Sequence, residues 1–549
     1  MKIVIFIFVL VFSLAASLTL GRTIGSEIYP TEEELYEAYL IGQIDFQTYL
    51  NLREIFNGGI DSTNLYLIEE IPNIDYYWGV DSQIDSDLEK EQTKPFIIDK
   101  EHISKNKISG SIRWKRYQKL DDSSLNKNIV YLRSQLSPNW SVKLNGVDEY
   151  TGFQECSFRS LNYKSSIGTI RKLVIGNFTA RFGLGLNVGY RGKIFRDKHL
   201  STEETILFPD YGGFNGLYAE GGPRKNRVKW LFHYDKNDSI LVKTSAVNVN
   251  KKFGFYRVEG TFLGSVISNR LNNNEFRQYQ LGLLLGYSGY DLDIAIEGAL
   301  PKSNLEGSTK NSQAVVTEIT YKKNEFSVKF SAWYYGQKYI NLFGGARSGD
   351  LYRTIDFENI DLNYRDRRRN QRGFIIRTST SLTERTTAEM SISIYGSSRY
   401  ERFIEIQTSI GEIIAENSRL RLYYELFRKE RFGEISNNNT LKLEYNYKLP
   451  NYSIRSFLGY TSKNEDQKYL SFHFRSKLKN NFFKEIEFWV NFSRINIETS
   501  NIDYFYAYIR EMIDLTKTVS LAIKYRYRYN RSFDKPEEST IYLETEIVW

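Results

Sequence analysis

Apolar and polar residues alternate with a period of two along most of the chain after residue 105. In residues 519–529, apolar and tyrosine side chains occupy the odd positions, and Lys524, Arg526 and Arg528 lie among the even ones. Successive side chains of a β-strand point to opposite faces of the sheet. The pattern therefore predicts repeated strands, each with one apolar and one polar face.

Aromatic residues tend to mark the ends of these segments, and aliphatic residues their middle. Tyr279 and Tyr287 flank the alternating leucines of "YQLGLLLGY". At ~3.3 Å per residue this stretch is about 26 Å long, and a tilt of about 40° reduces its height to roughly 20 Å. An antiparallel sandwich alternates in the same way. Aromatic ends around an apolar centre instead favour a membrane-spanning barrel with aromatic girdles.

The predicted connections alternate between short turns and longer polar loops, such as residues 516–517 and then 530–537. This rhythm is expected when one rim of a barrel faces the periplasm and the other the exterior. We place another long connection at residues 430–439. We count about fifteen strands from Phe276 to Trp549 and about nine upstream. The expected fold is an all-β transmembrane antiparallel barrel of about 20–24 strands, covering residues 105–549 and preceded by a small α-helical module.

The chain ends on "TIYLETEIVW", in the middle of an alternating segment. Ile541, Leu543, Ile547 and Trp549 share one face. A terminal aromatic residue with apolar residues at every second position before it resembles the C-terminal β-signal of bacterial outer-membrane proteins. The resemblance implies recognition by the barrel-assembly machinery and closure of the last strand against the first. It also implies that Trp549 lies in the periplasmic girdle, where an indole is favoured.

The opposite face of the same segments predicts the lining of the barrel. Five charged residues are expected to face the lumen. Because the lumen should be filled with water, we expect Lys524→Gln to cost little stability. These residues are Lys524, Arg526, Arg528, Glu544 and Glu546.

The first 21 residues read as a secretory signal peptide. A lysine precedes an apolar run of roughly a dozen residues, which is short for a spanning helix of about 20 residues. Signal peptide and barrel together predict the outer membrane of a Gram-negative bacterium, with outer-membrane lipid and lipopolysaccharide as partners. One cysteine and four histidines leave little material for a metal site. We expect no metal and no cofactor.

Residues 22–104 differ from the rest of the chain and predict a small periplasmic helical module or plug. Thr31 and Glu34 form a capping-box pattern, and Gly58 and Gly59 could end a second helix. "GIDSTNLYLIEEIPNI" resembles a degenerate helix-hairpin-helix unit, and "VIGNFTARFGLGL" resembles a stretch of Bacteroidetes-type barrels that carry such modules. The resemblance puts the hairpin at Pro72 and Asn73. Asn73 stands where the family has the glycine that contacts a DNA phosphate, which argues against nucleic acid.

Two other motifs suggest ligands. "GLGLNVG", residues 183–189, looks like a dinucleotide loop but lacks the helix and the acidic residue that such a loop needs. Glycines there indicate bends or close packing of a strand over 170–186. Arg367, Arg368 and Arg369 form the densest basic run. They form either a solvated loop or an anion-binding loop at the outer rim.

Two classes of function remain open. One is a pore or channel for polar solutes, with the helical module occluding or regulating the lumen. The other is a structural or docking component of an envelope machine for secretion, assembly or DNA uptake, whose module binds a periplasmic protein. No grouping of residues indicates catalysis, so we expect no enzyme. The chain lacks the plug of about 130 residues expected of a TonB-dependent transporter.

Overall fold

The computed structural model describes most of the chain after residue 107. The described residues are 108–120, 126–148, 155–165, 169–189, 214–223, 225–236, 240–269, 275–304, 312–341, 343–344, 356–357, 364–365, 370–398, 401–431, 434–449, 451–464, 467–479, 485–497, 502–530 and 537–549. The signal peptide, the helical module with Pro72 and Asn73, and the arginine run 367–369 lie outside them. No helix among the described residues is long and apolar enough to cross a membrane.

The described chain is built from β-strands joined in sequence. The first half contains β1 (Ser109–Lys119), β2 (Asn126–Gln135), β3 (Trp140–Asp148), β4 (Glu155–Lys164), β5 (Ile170–Phe178), β6 (Phe214–Gly221), β7 (Asn226–Lys236), β8 (Ile240–Phe253), β9 (Tyr256–Asn269), β10 (Glu275–Ser288), β11 (Leu292–Ser303), β12 (Ala314–Lys323) and β13 (Phe326–Tyr335). The second half contains β14 (Asp356–Phe357), β15 (Tyr364–Arg365), β16 (Arg372–Ser381), β17 (Thr386–Ser398), β18 (Glu401–Ala415), β19 (Ser418–Arg431), β20 (Glu434–Leu449), β21 (Tyr452–Lys463), β22 (Gln467–Leu478), β23 (Glu485–Asn496), β24 (Ile502–Asp514), β25 (Val519–Asn530) and β26 (Glu537–Val548).

These strands close into one antiparallel barrel. Each strand pairs with the next, β13 pairs with β16, and β1 pairs with β26, so the sheet has 24 strands. The short strands β14 and β15 pair only with each other. The predicted barrel is confirmed at the upper end of its expected strand number. Closure leaves no sheet edge unpaired, as a membrane-spanning sheet requires.

Two segment boundaries differ from the sequence prediction. No long connection occupies 430–439, because β19 and β20 extend to Arg431 and Glu434. The strand predicted over 170–186 ends at Phe178, and the chain beyond it turns at Gly183 and Gly185 instead of continuing as a strand. Gly183 has φ of 60° and Gly185 of 88°, both in the left-handed region that favours glycine.

The C-terminal residue takes part in closing the barrel. The backbone N–H of Trp549 donates to the carbonyl of Gly110, and that of Gly110 to the carbonyl of Trp549, both at 3.0 Å. A Cβ atom on Gly110 would lie 2.8 Å from the Trp549 indole. A side chain at position 110 would therefore collide with the terminal ring.

The outer surface of the barrel is apolar. Leu281, Leu283 and Leu285 on β10 are 60%, 54% and 52% exposed, whereas Gln278 and Gln280 on the opposite face are buried. Aromatic side chains cluster at the turns next to the rim that holds the C-terminus, where Tyr290 and its neighbours are exposed. We call this rim the terminal rim and the opposite one the loop rim. An exposed apolar band with an aromatic border matches a lipid-facing surface.

Candidate functional site

The inner face of β20–β26 and β1 carries ion pairs from strand to strand. Glu544 on β26 is the centre of one group. Its carboxylate oxygens lie 3.4 Å from Arg113 Nε, 3.4 Å from Lys115 Nζ and 3.6 Å from Arg510 Nη2. Arg113 also donates to Glu546 at 3.0 Å. One carboxylate thus joins β1, β26 and β24 across the closure of the barrel.

A second group lies nearer the loop rim. Glu538 accepts hydrogen bonds from Arg526 Nη2 at 2.7 Å and from Arg528 Nη2, and Lys119 Nζ lies 3.4 Å away. Three basic side chains therefore share one carboxylate. Because Arg526 and Glu538 are 9% and 14% exposed, these interactions are weakly screened by solvent.

Further along the wall the pairing is closer to one to one. Arg455 pairs with Glu444 at 2.6 Å, Arg475 pairs with Glu487, and Lys477 Nζ lies 3.6 Å from Glu485. These carboxylates are at most 8% exposed. Buried charges of this kind need such partners, since an isolated buried carboxylate is strongly disfavoured.

Aromatic rings pack between the charges. Lys524 Nζ lies 3.9 Å from the centroid of the Tyr508 ring and 5.3 Å from that of Tyr542. Trp489 packs edge-on against Tyr508, and its indole N–H donates to His473 Nδ1 at 2.8 Å. Lys524 is only 5% exposed. The predicted contact of Lys524 with water, from which a low cost of Lys524→Gln was expected, therefore has no support in this geometry.

The other side of the lumen holds two segments of chain that fold inward. Residues 179–189 follow β5, and residues 336–341 and 343–344 follow β13, so both segments start at the loop rim. We call them together the lumen insert. Phe182, Leu186, Val188 and Phe343 of the insert are fully buried. Phe182, Val188 and Phe343 pack in one cluster with inward-facing residues of the barrel wall, which include Phe214, Leu231, Leu263 and Phe276. Leu186 belongs to a second cluster, with Leu284 and Trp333 of the wall.

A buried carboxylate on β11 holds the first insert segment. Glu297, 1% exposed, accepts hydrogen bonds from the backbone N–H of Leu184 at 2.6 Å and of Leu186 at 3.3 Å, and from Asn187 Nδ2 at 2.8 Å. Gly282 on β10 makes room for this contact, because a Cβ there would lie 1.8 Å from Asn187 Nδ2. The N–H groups of the glycine-rich loop therefore bind a carboxyl group, and this group belongs to the chain itself.

The two insert segments also bond to each other. Asn341 Nδ2 donates to the carbonyls of Leu186 at 2.7 Å and Asn187 at 3.1 Å, and the N–H of Gly189 donates to the carbonyl of Phe343 at 2.8 Å. Because these hydrogen bonds join segments that are far apart in sequence, each segment restricts the conformation of the other. The insert is therefore a hydrogen-bonded unit.

The structure places all five predicted lining residues on the inner face. Glu544 and Glu546 belong to the group that contains Arg113, and Arg526 and Arg528 belong to the group around Glu538. Lys524 lies against the rings of Tyr508 and Tyr542. The four β-signal residues lie on the outer face, where Ile541, Ile547 and Trp549 are exposed. Sequence reasoning missed Glu297 and the lumen insert. The glycines at 183, 185 and 189 were the available signal, read as strand packing. No group of three metal-ligating residues occurs among the described residues.

A closed barrel with an apolar exterior and a charged interior is the architecture of Gram-negative outer-membrane proteins. The chain is therefore an outer-membrane β-barrel protein of 24 strands.

No family model matches the chain, and no curated protein matches it. Among solved structures, the chain is similar to the siderophore receptor PirA from Pseudomonas aeruginosa, with 10% identity, coverage of 81% of this chain and 80% of that one, and a TM-score of 0.43. It is similar to the ferric-catecholate import receptor Fiu from E. coli K12, with 9% identity, coverage of 81% and 82%, and a TM-score of 0.42. It is also similar to OccK2 from Pseudomonas aeruginosa, with 8% identity, coverage of 58% and 95%, and a TM-score of 0.32.

Proposed function

We propose that the protein is an outer-membrane channel for polar solutes, narrowed from within by the lumen insert. A lumen enclosed by this many strands is too wide for side chains alone to fill. The charged wall supplies a polar surface along the inside. In this proposal the chain moves solutes and catalyses no reaction.

The attachment of the insert through Glu297 carries the proposal. Leu184, Leu186 and Asn187 all donate to a carboxylate that is 1% exposed. Leaving such donors unsatisfied costs about 1–3 kcal/mol each, so the insert is firmly held. A fixed obstruction on one side of the lumen sets the size of the solute that can pass along the charged wall.

Single-channel conductance in planar bilayers tests this proposal. In the Gly282→Ala variant the new methyl group would displace the Asn187 amide from Glu297, because the two would approach to 1.8 Å. We expect the insert to loosen and conductance to rise. The matched control is Gly298→Ala on the neighbouring strand, where a Cβ meets nothing within 4 Å. Absence of current both in the unaltered protein and in the protein without residues 22–100, or equal conductance in the two glycine variants, would contradict the proposal.

The helical module of residues 22–104 adds a second element to the proposal. We propose that it occludes or regulates the same lumen. Deleting residues 22–100 should then leave a folded barrel and raise conductance several-fold. Unchanged conductance together with loss of a periplasmic protein from pull-downs would instead favour docking.

A further inference from the structure

Aromatic side chains form a continuous patch on the inner face of β21–β24. Trp489 packs edge-on against Tyr506 at 5.0 Å and against Tyr508 at 5.3 Å between ring centroids. His473 meets the other side of the same indole at 5.3 Å. We call this patch the aromatic wall, and its members are Phe457, His473, Trp489, Tyr504, Tyr506 and Tyr508.

The rings of the aromatic wall point into the lumen and are nevertheless buried. Tyr508 is 0% exposed, Tyr506 2% and Tyr504 6%. Neighbours within the wall cover the flanks of these rings, but a lumen of this width is too large for the side chains of one wall to fill. Among the described residues, the clusters that contain the lumen insert include none of the three tyrosines. The insert therefore does not account for their cover on the lumen side.

A buried amide marks the same place. Asn491 on β23 lies opposite Tyr506 in the register of β23 and β24, and its side chain is 0% exposed. No described residue forms a hydrogen bond with its Nδ2 or its Oδ1. Because an unsatisfied buried amide is destabilising, this position calls for a polar partner from outside the wall.

The chain that precedes the described residues enters the barrel close to this wall. The described chain begins at residue 108, at the terminal rim and directly before β1. Because β1 pairs with β26, β24 is three strands from β1, or roughly 14 Å at ~4.8 Å per strand. Residues 22–104 are therefore long enough to reach the aromatic wall from the terminal rim.

The composition of residues 22–104 complements this surface. They contain 18 acidic and 5 basic residues, whereas the whole chain has a net charge of +8, so the rest of the chain is strongly basic. The inner face beside the rings carries Arg475 and Lys477. The segment also has apolar residues at helical spacing, such as Leu35 and Tyr39, which suit contact with aromatic rings. Charge and apolar surface are thus both complementary.

We infer that residues 22–104 dock on the aromatic wall and supply the polar partner of Asn491. This inference rests on the proposal that the helical module occludes the lumen, and it names the surface that holds the module. Apolar contact with the rings holds the segment, and charge complementarity orients it. The lumen is then narrowed from two sides, by the lumen insert next to β5–β13 and by the module on β21–β24.

Photo-crosslinking of the full-length protein tests this inference. The photoreactive amino acid p-benzoylphenylalanine replaces Tyr506, and the peptides linked to it after irradiation are identified by mass spectrometry. We expect the linked peptides to come from residues 22–104. A second variant carries the same replacement at Tyr504, which is 6% exposed, and serves if the first variant fails to fold.

Two other tyrosines provide matched controls. Tyr424 is 41% exposed on the outer face of β19, and Tyr395 lies on the inner face of β17 in the cluster that contains part of the lumen insert. Replacement of either should give several-fold fewer links to residues 22–104. Links from Tyr506 and Tyr504 only to other parts of the chain, or equally frequent links to residues 22–104 from a control, would overturn the inference.

Conductance separates this inference from the channel function. Absence of the links from Tyr506 and Tyr504, together with a rise in conductance on deleting residues 22–100, would overturn the docking surface and leave the proposed function standing. Links to residues 22–104 without current in either form of the protein would support the docking surface and contradict the channel.

Discussion

The two sides of the lumen are filled in different ways. Around β5–β13 apolar residues of the inner face pack against the backbone that folds inward as the lumen insert, and buried polar side chains such as Asn248 and Gln278 lie among them. Around β20–β26 and β1 the inner face is charged, and the side chains pair with each other. On the first side the buried carboxylate of Glu297 binds backbone N–H groups, whereas on the second side Glu544 and Glu538 bind basic side chains.

This difference shows that the inward-facing side chains of a wide barrel can be packed and paired in two ways. Apolar packing fixes the position of the insert, because it depends on volume and shape. Paired charges keep the other wall polar while still ordering its side chains. The outer surface is apolar on both sides, because both face the same lipid. The contrast is therefore confined to the interior, and the following variants test it.

The largest effect is expected on the charged side from Glu544→Gln. This change leaves Arg113, Lys115 and Arg510 without the carboxylate that they share. Removing one partner of a buried charge group costs about 3–5 kcal/mol, and urea unfolding should show the loss. The control Glu275→Gln breaks an exposed pair with Arg277, and it should leave the free energy of unfolding nearly unchanged because solvent screens such a pair. Equal losses would mean that the wall charges are solvated.

The next effect concerns the outer surface, which should not distinguish the two sides. Leu283→Arg on β10 and Leu443→Arg on β20 each put a charge in the middle of a lipid-facing strand, at side chains 54% and 42% exposed. Each should destabilise the barrel by about 2–4 kcal/mol in refolding titrations into lipid vesicles. A penalty in only one variant would show that the contrast extends to the exterior.

The smallest effect is expected from Lys524→Gln. The ammonium lies 3.9 Å from the Tyr508 ring centroid, and a desolvated contact of this type contributes about 0.5–2 kcal/mol. Urea unfolding should detect the loss. Lys517→Gln, in the exposed turn between β24 and β25, should change nothing measurable. If the two variants behave alike, Lys524 is solvated, as the alternation pattern alone suggested.

The chain by itself determined the barrel and the direction of its side chains. Alternation with a period of two is a property of consecutive residues, so Lys524, Arg526 and Arg528 could be assigned to the face opposite Leu521 and Ile523. The pairing of the terminal segment with the first strand was implied by the resemblance of that segment to the β-signal of outer-membrane proteins. The closure bonds between Trp549 and Gly110 are its structural counterpart.

Only the tertiary structure decided which charges share a partner and what fills the lumen. Arg113 and Glu546 are 433 residues apart in sequence and meet only because β1 and β26 close the sheet in one register. Glu297 and Leu184 are 113 residues apart, and their hydrogen bond requires residues 179–189 to leave the strand and turn inward. Period-two alternation records which face a residue takes. The alternation carries no information on the register between β1 and β26 or on the volume of the lumen. The register decides which charged residues meet, and the volume decides whether chain segments can fold inward.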